Sequence, residues 1–473
     1  MSDTENSPHL PIEDFREYGY QLVDWLAEYF SNIESQRILP EISPGDIRAM
    51  LPDVAPEQAE DMSDIIADLD RVVMPGMAHW QHPGWFAFFP SGVSPVSVLG
   101  EFVAAGLATQ GMMWSTAPSP TEIENTVLDW LVDLLGLPST WRIDTGPGGG
   151  VLQMSASDST HLSLAIARHH AVEAGHATDS LVAYGSEQAH SSIEKGARIA
   201  GYRHIRSIRV DESFALDVNA LEDQVEADLA SGLVPTWVCS AVGTTSTTAM
   251  DPIRPIAAIA KDHGMWHHAD AAYAGSAMIC PEFRNLQDGV ELVDSYTFNP
   301  HKWLLTNFDC SVFWAADRSK LIDALSILPA YLKNESSGDP AAIDYRDWHV
   351  PLGRRFRALK LWFVLRSYGA EKLRDFVRSH VDWAKELEDR IQADGRFEVT
   401  APRTLALVCF RHVGGNNLTK SLADAVNASG TAYVTPSTID DTQFIRVSIG
   451  STWTERHHVD ALWELIDLHG TPA

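Results

Sequence analysis

Five short stretches carry residue types that could do covalent or proton chemistry. In Ser295–Leu305, SYTFNPHKWLL, Lys302 sits between His301 and Trp303 just beyond an apolar run that reads as a strand. Lysine is seldom fully buried without a partner. At the end of a buried strand it can point into a crevice, where desolvation lowers its pKa and makes the amine nucleophilic. The bland alternative is a surface lysine after a strand, and Lys302 alone does not decide between them. In Trp266–Gly275, WHHADAAYAG, Asp270 ends another strand-like run and small residues follow. Small residues let a flat ligand approach the backbone, and a carboxylate there can hold a proton on a ring nitrogen. The competing chemistry is metal binding by His263, His267, His268 and Asp270. Alternation along a strand sends His267 and His268 to opposite faces, and no glutamate stands in an H-E-x-x-H arrangement. No metal is expected there.

The other three stretches are weaker alone. Gly148–Thr160, GGGVLQMSASDST, places small and hydroxyl residues before a helical run. Such a junction suits phosphate, because main-chain N–H groups and the positive helix end face the anion. It is neither a Walker nor a GxGxxG motif, and an N-cap with a flexible entry loop explains it equally well. In Glu187–Lys195, EQAHSSIEK, His190 follows the run 181–184 and begins a helix. A capping or core histidine is the competing reading. Gly243-Thr244-Thr245 closes the run 237–242, where ligands of open α/β sheets collect.

The elements that must position these residues follow from hydrophobic periodicity. Residues 12–33 read as an amphipathic helix with Phe15, Tyr18, Leu22, Trp25, Leu26, Tyr29 and Ile33 on one stripe. A second helical stretch covers 61–73. Residues 1–90 are therefore expected to be a helical arm whose aromatic stripe needs a partner surface, such as a second subunit. From 91 to 370, strands at 181–184, 237–242, 265–269, 295–298 and 311–314 alternate with helices at 159–174, 190–200, 217–231 and 253–263. That alternation predicts a large α/β domain with a mainly parallel, buried sheet. After Gly369 a helix to about 391, strands at 397–399, 405–410, 432–434 and 444–449, and a helix over 454–468 predict a small α+β domain, 371–473. The polar loop 333–342, KNESSGDPAA, reads as exposed and mobile.

The 473 residues carry a net charge of −29. Such a field repels phosphate backbones and anionic lipid, so neither nucleic acid nor a membrane is an expected partner. Cys239, Cys280, Cys310 and Cys409 lie far apart without a CxxC, which predicts reduced thiols and a cytoplasmic protein. The polar, acidic start is not a secretory signal, and no run of ~18 apolar residues predicts a membrane span. The N-x-S/T sequons at Asn334, Asn417 and Asn427 read as chance matches in such a chain.

Taken in order, SAS, AH, GTT, DAAYAG and NPHKW resemble the aromatic L-amino acid decarboxylases, a pyridoxal-phosphate-dependent family. So do the longer stretches WQHPGWFAFFPS, SPTEIENTVLDWL, HADAAYAGSAMICPEFR, FNPHKWLLTNFDCSVFW and DYRDWHVPLGRRFRALKLWF. The resemblance runs from about Phe15 to His469, and AYVTPSTID is similar to bacterial members. It implies an aspartate-aminotransferase-like, fold-type-I homodimer with shared active sites. It gives Lys302 the covalent link to pyridoxal phosphate, Asp270 the contact with the pyridine nitrogen and His190 the stacking position. Ser155, Ala156 and Ser157 would hold the phosphate with Asn299 and His301 nearby, Thr245 would lie beside the ring, and Ala272 would pack below it. Trp80, Phe88, Phe89, Pro90 and Ser91 would line the side-chain pocket, where animal members carry threonine in place of Ser91. Met112 would reach it from the other subunit. Tyr331 would be the acid that protonates Cα, with His190 assisting. Gly353, where some relatives specific for phenols or imidazole have serine, suggests room for indole or catechol. The implied reaction turns an aromatic L-amino acid (DOPA, tryptophan, 5-hydroxytryptophan, tyrosine or phenylalanine) into its amine and CO2. The rivals are an aromatic acetaldehyde synthase on the same scaffold, which usually lacks the tyrosine or the stacking histidine, and an inactive scaffold protein.

Overall fold

The computed structural model describes residues 9–327 and 342–471. Tyr331 and nearly all of the expected mobile loop lie outside the described residues. A seven-stranded sheet forms the centre of the large α/β unit. Its strands are β1 (Gly149–Gln153), β2 (Leu181–Ser186), β3 (His204–Ile208), β4 (Val234–Ala241), β5 (Trp266–Asp270), β6 (Ser295–Phe298) and β7 (Ser311–Ala315), in the order β1-β7-β6-β5-β4-β2-β3. The β3, β2, β4, β5 and β6 strands run parallel, while β7 runs antiparallel to both β6 and β1. Every residue of β1, β2, β5, β6 and β7 is buried. That is why β2, β6 and β7 read as continuous apolar runs rather than alternating ones.

Parallel strands need crossovers, and helices supply them: Ala156–Glu173, Ser192–Ile199, Val218–Ala230 and Ile253–Asp262. The first begins at Ser155, an N-cap that accepts the Asp158 N–H at 3.3 Å and donates its hydroxyl to the Asp158 carboxylate at 2.8 Å. Because the parallel strands share a direction, the loops after β1, β2, β4, β5 and β6 open on one edge of the sheet, the edge where open α/β sheets take ligands.

The C-terminal part holds a four-stranded antiparallel sheet of β8 (Phe397–Val399), β9 (Leu407–His412), β10 (Thr435–Ile439) and β11 (Thr442–Ser448), in the order β10-β11-β9-β8. The strand expected at 432–434 forms a few residues later. Tyr433 instead bridges Trp85, and the Val434 N–H is taken by the Asn427 side chain. Gly369, at φ 68° and ψ 166°, divides Arg357–Ala393 into two helices, and the second is the long helix expected after Gly369. The second N-terminal helix, Met62–Asp68, widens into a π turn over Leu69–Val73, so the helical stretch ends where expected.

Arg354 ties the two sides of β1 together. Its guanidinium donates to Glu124 Oε1 at 2.6 Å, to the Leu152 carbonyl at 3.2 Å and to the Gly111 carbonyl at 3.2 Å, above the Tyr345 ring. Both charged side chains are almost fully buried. Removing one partner leaves the other charge uncompensated, which costs about 3–5 kcal/mol. Arg354→Met should therefore lower the urea midpoint of unfolding strongly. A change within error would show that Glu124 finds other partners.

Candidate active site

The strand ends deliver one set of side chains to one place. The β1 strand leads to Ser155, β2 to His190, β4 to Gly243-Thr244-Thr245, β5 ends on Asp270, and β6 leads through Asn299 to Lys302. A cavity of about 220 Å³ is lined by Ser155, Ala156, Ser157, His190, Thr245, Asp270, Ala272, Asn299, His301 and Lys302, together with Phe89, Ala241, Gly243, Thr244 and Tyr273. Residues 155 and 302 are far apart in sequence, and the sheet order brings them to one rim. At the floor, Gly243 has φ 91°, and a Cβ there would meet Ala274 Cβ at 3.1 Å, so glycine is required.

Lys302 is held in a setting that weakens its charge. Burial lowers its pKa, the Asp270 carboxylate opposes this, and the Arg446 guanidinium adds to the lowering. Its Nζ lies 5.3 Å from the centroid of the Phe89 ring. A lysine in such a place keeps more of its amine free to attack a carbonyl. Asp270 is oriented by the Ala272 N–H, which donates to Oδ1 at 2.9 Å.

The two histidines carry their ring protons on defined atoms. The Ser192 N–H donates to His190 Nδ1 at 3.1 Å, so neutral His190 has its proton on Nε2. Desolvation lowers the His190 pKa, Asp270 opposes this, and Lys302 adds to the lowering. The Cys310 N–H donates to His301 Nδ1 at 2.9 Å, which leaves Nε2 as the donor there too. Burial, helped by the Lys302 charge, pushes His301 down to about 3, so it is a neutral donor. The histidines weighed as metal ligands do not converge. His267 Nε2 pairs with Ser240 Oγ at 2.6 Å, while His268 Nδ1 pairs with Ser295 Oγ at 2.9 Å.

A wider cavity of about 670 Å³ continues from the first. It shares Phe89, His190, Thr245, His301 and Lys302, and adds Trp80, Phe88, Pro90, Ser91, Phe308 and Arg446. Its wall is an aromatic stack, with Trp80 4.4 Å from Trp85 and 5.5 Å from Phe88 between ring centroids. Met112 and Gly353 line neither cavity of their own chain. Gly353 lies instead on a separate cleft of about 490 Å³ beside Gln110.

Sequence reasoning missed Arg446 and Phe308. Arg446 comes from β11 of the small sheet, is buried, and donates to the Ser246 carbonyl at 2.9 Å and the Phe88 carbonyl at 3.4 Å. A charged residue within the apolar run FIRVSIG was the available signal.

The chain matches the family described as the pyridoxal-dependent decarboxylase conserved domain over residues 44–413. It belongs to the pyridoxal-dependent decarboxylases. Relatives match over nearly the whole chain. Tryptophan decarboxylase 2 of Oryza sativa subsp. japonica is 42% identical, over 97% of this chain and 94% of the relative. Phenylacetaldehyde synthase of Arabidopsis thaliana is 44% identical, over 96% and 95%. Among solved structures, Oryza sativa TDC with PLP and tryptamine superposes with a TM-score of 0.96 at 39% identity, covering 98% and 99%. These relatives are plant proteins, so the expected likeness to bacterial members finds no support among them.

The cofactor of this decarboxylase is pyridoxal phosphate, and the residues of the cavity fit it. The first N–H groups of a helix have no intrahelical partner, and Ala156 and Ser157 open the helix at the cavity wall. Asn299 Oδ1 is buried without a hydrogen-bond partner among the described residues. A buried amine, a carboxylate and a helix N-terminus around one cavity match an aldehyde, a basic ring nitrogen and a phosphate.

Proposed function

We propose that this decarboxylase converts an aromatic L-amino acid into the corresponding amine and CO2. The observation that carries the reading is the continuity of the two cavities, which puts an apolar, aromatic-walled chamber directly against Lys302. Such a chamber accepts an indole or phenol ring and penalises a second carboxylate, whose burial without a partner is costly. The names of the plant relatives, tryptophan decarboxylase and tyrosine decarboxylase among them, support the same substrate class. Carbon dioxide release should be measured from DOPA, tryptophan, 5-hydroxytryptophan, tyrosine and phenylalanine, with glutamate as the contrast. The kcat/KM for the best aromatic acid should exceed that for glutamate roughly 100-fold or more. Equal turnover of glutamate would overturn the reading.

When bound, pyridoxal phosphate supplies an electron sink for the pair left at Cα as CO2 departs. In our reading Lys302 binds the cofactor covalently through its amine. Asp270 holds a proton on the ring nitrogen. His190, Ala272 and Thr245, which line the cavity, would hold the ring. Ser155, the N–H groups of Ala156 and Ser157, Asn299 and His301 Nε2 hold the phosphate. Trp80, Phe88, Phe89, Pro90, Ser91 and Phe308 enclose the substrate ring and exclude water. Arg446 adds positive charge on the wall, which favours the anionic end of the amino acid. Tyr331 delivers the proton to Cα, a task worth about 10²–10⁴-fold when an acid is well placed. The Arabidopsis relative's name describes the rival, an aldehyde synthase. The sequence keeps both Tyr331 and His190, which favours the amine.

The working unit in this reading is a homodimer. The helix Ile12–Ser31 has no buried residue in the single chain, and Ile12 and Phe15 are 69% and 51% exposed. The helix Pro95–Leu107 also exposes Leu99, Phe102, Val103 and Leu107. Apolar area of this kind calls for a partner, and a second copy supplies a matching face. The partner subunit's Met112 and the partner subunit's Gly353 then complete the substrate chamber. Sedimentation should give twice the 52.1 kDa chain mass, and Ile12→Glu with Phe15→Glu should shift it toward the monomer. A fully active monomer at assay concentration would refute the shared site. The four cysteines are buried and unpaired, in keeping with a reducing, cytoplasmic setting. Among the described residues, no helix is long and apolar enough to cross a membrane.

A further inference from the structure

Two histidine–carboxylate clusters lie away from the active-site cavity: Glu34 with His457 and His458, and His169 and His170 with Asp323. Hydrogen bonding separates them. The Glu455 N–H donates to His458 Nδ1 at 2.9 Å. The proton of neutral His458 therefore sits on Nε2, the atom facing Glu34 at 3.3 Å. Donor meets acceptor, and that nitrogen has no lone pair to offer a metal.

In the second cluster the arrangement at His170 is the opposite one. His169 and His170 lie near the end of the helix Ala156–Glu173, and Asp323 lies on the helix Arg318–Leu325. His170 Nε2 is 3.1 Å from the main-chain carbonyl of Lys320. A carbonyl only accepts, so Nε2 carries the proton and Nδ1 presents a lone pair. That lone pair faces Asp323 Oδ2 at 3.9 Å, and His169 Nε2 lies 3.4 Å from the same oxygen. Two acceptors face each other, so a proton, a bridging water or a metal ion must occupy the gap between them. Among the described residues no lysine or arginine pairs with Asp323. The nearby Lys320 ammonium is turned to Asp294, at 3.7 Å, and to the Trp266 ring.

We propose that His169, His170 and Asp323 form a binding site for a divalent transition-metal ion of the Zn²⁺ class, clamping the two helices together. One carboxylate and two imidazoles suit Zn²⁺, Co²⁺ or Ni²⁺ rather than Mg²⁺ or Ca²⁺, which take oxygen ligands. The His170–Lys320 bond is the outer contact that metal-bound imidazoles usually make, and it fixes the ligating tautomer. The three ligand atoms lie within 4.8 Å of one another. A tetrahedron with ~2.05 Å bonds has edges of about 3.3 Å, so partly exposed side chains need to close by up to about 1.5 Å. Water fills the remaining coordination. At ~1.5 Å per residue, the cluster stands about 20 Å along the helix from Ser155, so the ion takes no part in the reaction.

The test is calorimetric titration of ZnCl₂ into the untagged, full-length holoenzyme in buffer free of chelators, with the visible spectrum of a CoCl₂ complex as a second reading. One site per chain is expected to respond to substitution here. His169→Gln and Asp323→Asn should each weaken it at least ~10-fold, with circular dichroism, cofactor absorbance and turnover unchanged. Glu34→Gln should leave it as in the wild type. ZnCl₂ should also raise the unfolding temperature of the wild type and not that of Asp323→Asn. No bound ion in the wild type, equal affinity in Asp323→Asn, or loss of the site in Glu34→Gln would each overturn the proposal.

Discussion

Replacing Lys302 with alanine should leave a folded protein from which all pyridoxal phosphate is lost after borohydride reduction and denaturation, whereas the wild type retains one cofactor per chain. The substitution removes a partly buried amine that desolvation and Arg446 press toward its neutral form. Among the described residues no other lysine lines either cavity. The phosphate cradle at the helix start is untouched, so reversible cofactor binding should persist at lower affinity. Turnover should fall steeply, because the amine that joins the cofactor covalently is gone. Covalent retention of the cofactor by Lys302→Ala would show that a different amine is used.

Asp270→Ala should lower kcat by about 10- to 1000-fold with a smaller change in cofactor content. An opposite charge within ~4–6 Å typically moves a pKa by 1–3 units, and each unit is worth a factor of ten in the protonated fraction. The Ala272 N–H that orients the carboxylate is main-chain, so Asp270→Glu keeps the charge but displaces it, and its loss should be milder. Steady-state turnover at saturating substrate reads the difference. Near-wild-type turnover in the alanine variant would remove Asp270 from the chemistry.

How much of this was legible in the sequence differs by element. Strands buried on both faces wrote themselves as apolar runs, and β6 has the bounds expected of it. The β1 strand did not, because Gly149 and Gly150 made it look like a loop; its strand character comes from pairing with β7, more than 150 residues away. The ring of residues at the ends of β1, β2, β4, β5 and β6 could be named because each stands in a short motif next to a strand. Phe308 and Arg446 could not be placed that way. Arg446 reaches the chamber only because the small sheet packs over it, a contact no local pattern encodes. Met112 and Gly353 show the converse: in the single chain neither lines the chamber, and Gly353 sits on a separate cleft.

The most direct test of the account is a product balance. With the best aromatic substrate in air-saturated buffer, CO2, amine and peroxide should be measured in the same reaction. CO2 and amine should form in a one-to-one ratio with no peroxide. Aldehyde, ammonia and peroxide rising in step with CO2 would make the enzyme an aldehyde synthase, and no CO2 from any aromatic amino acid would contradict the account altogether.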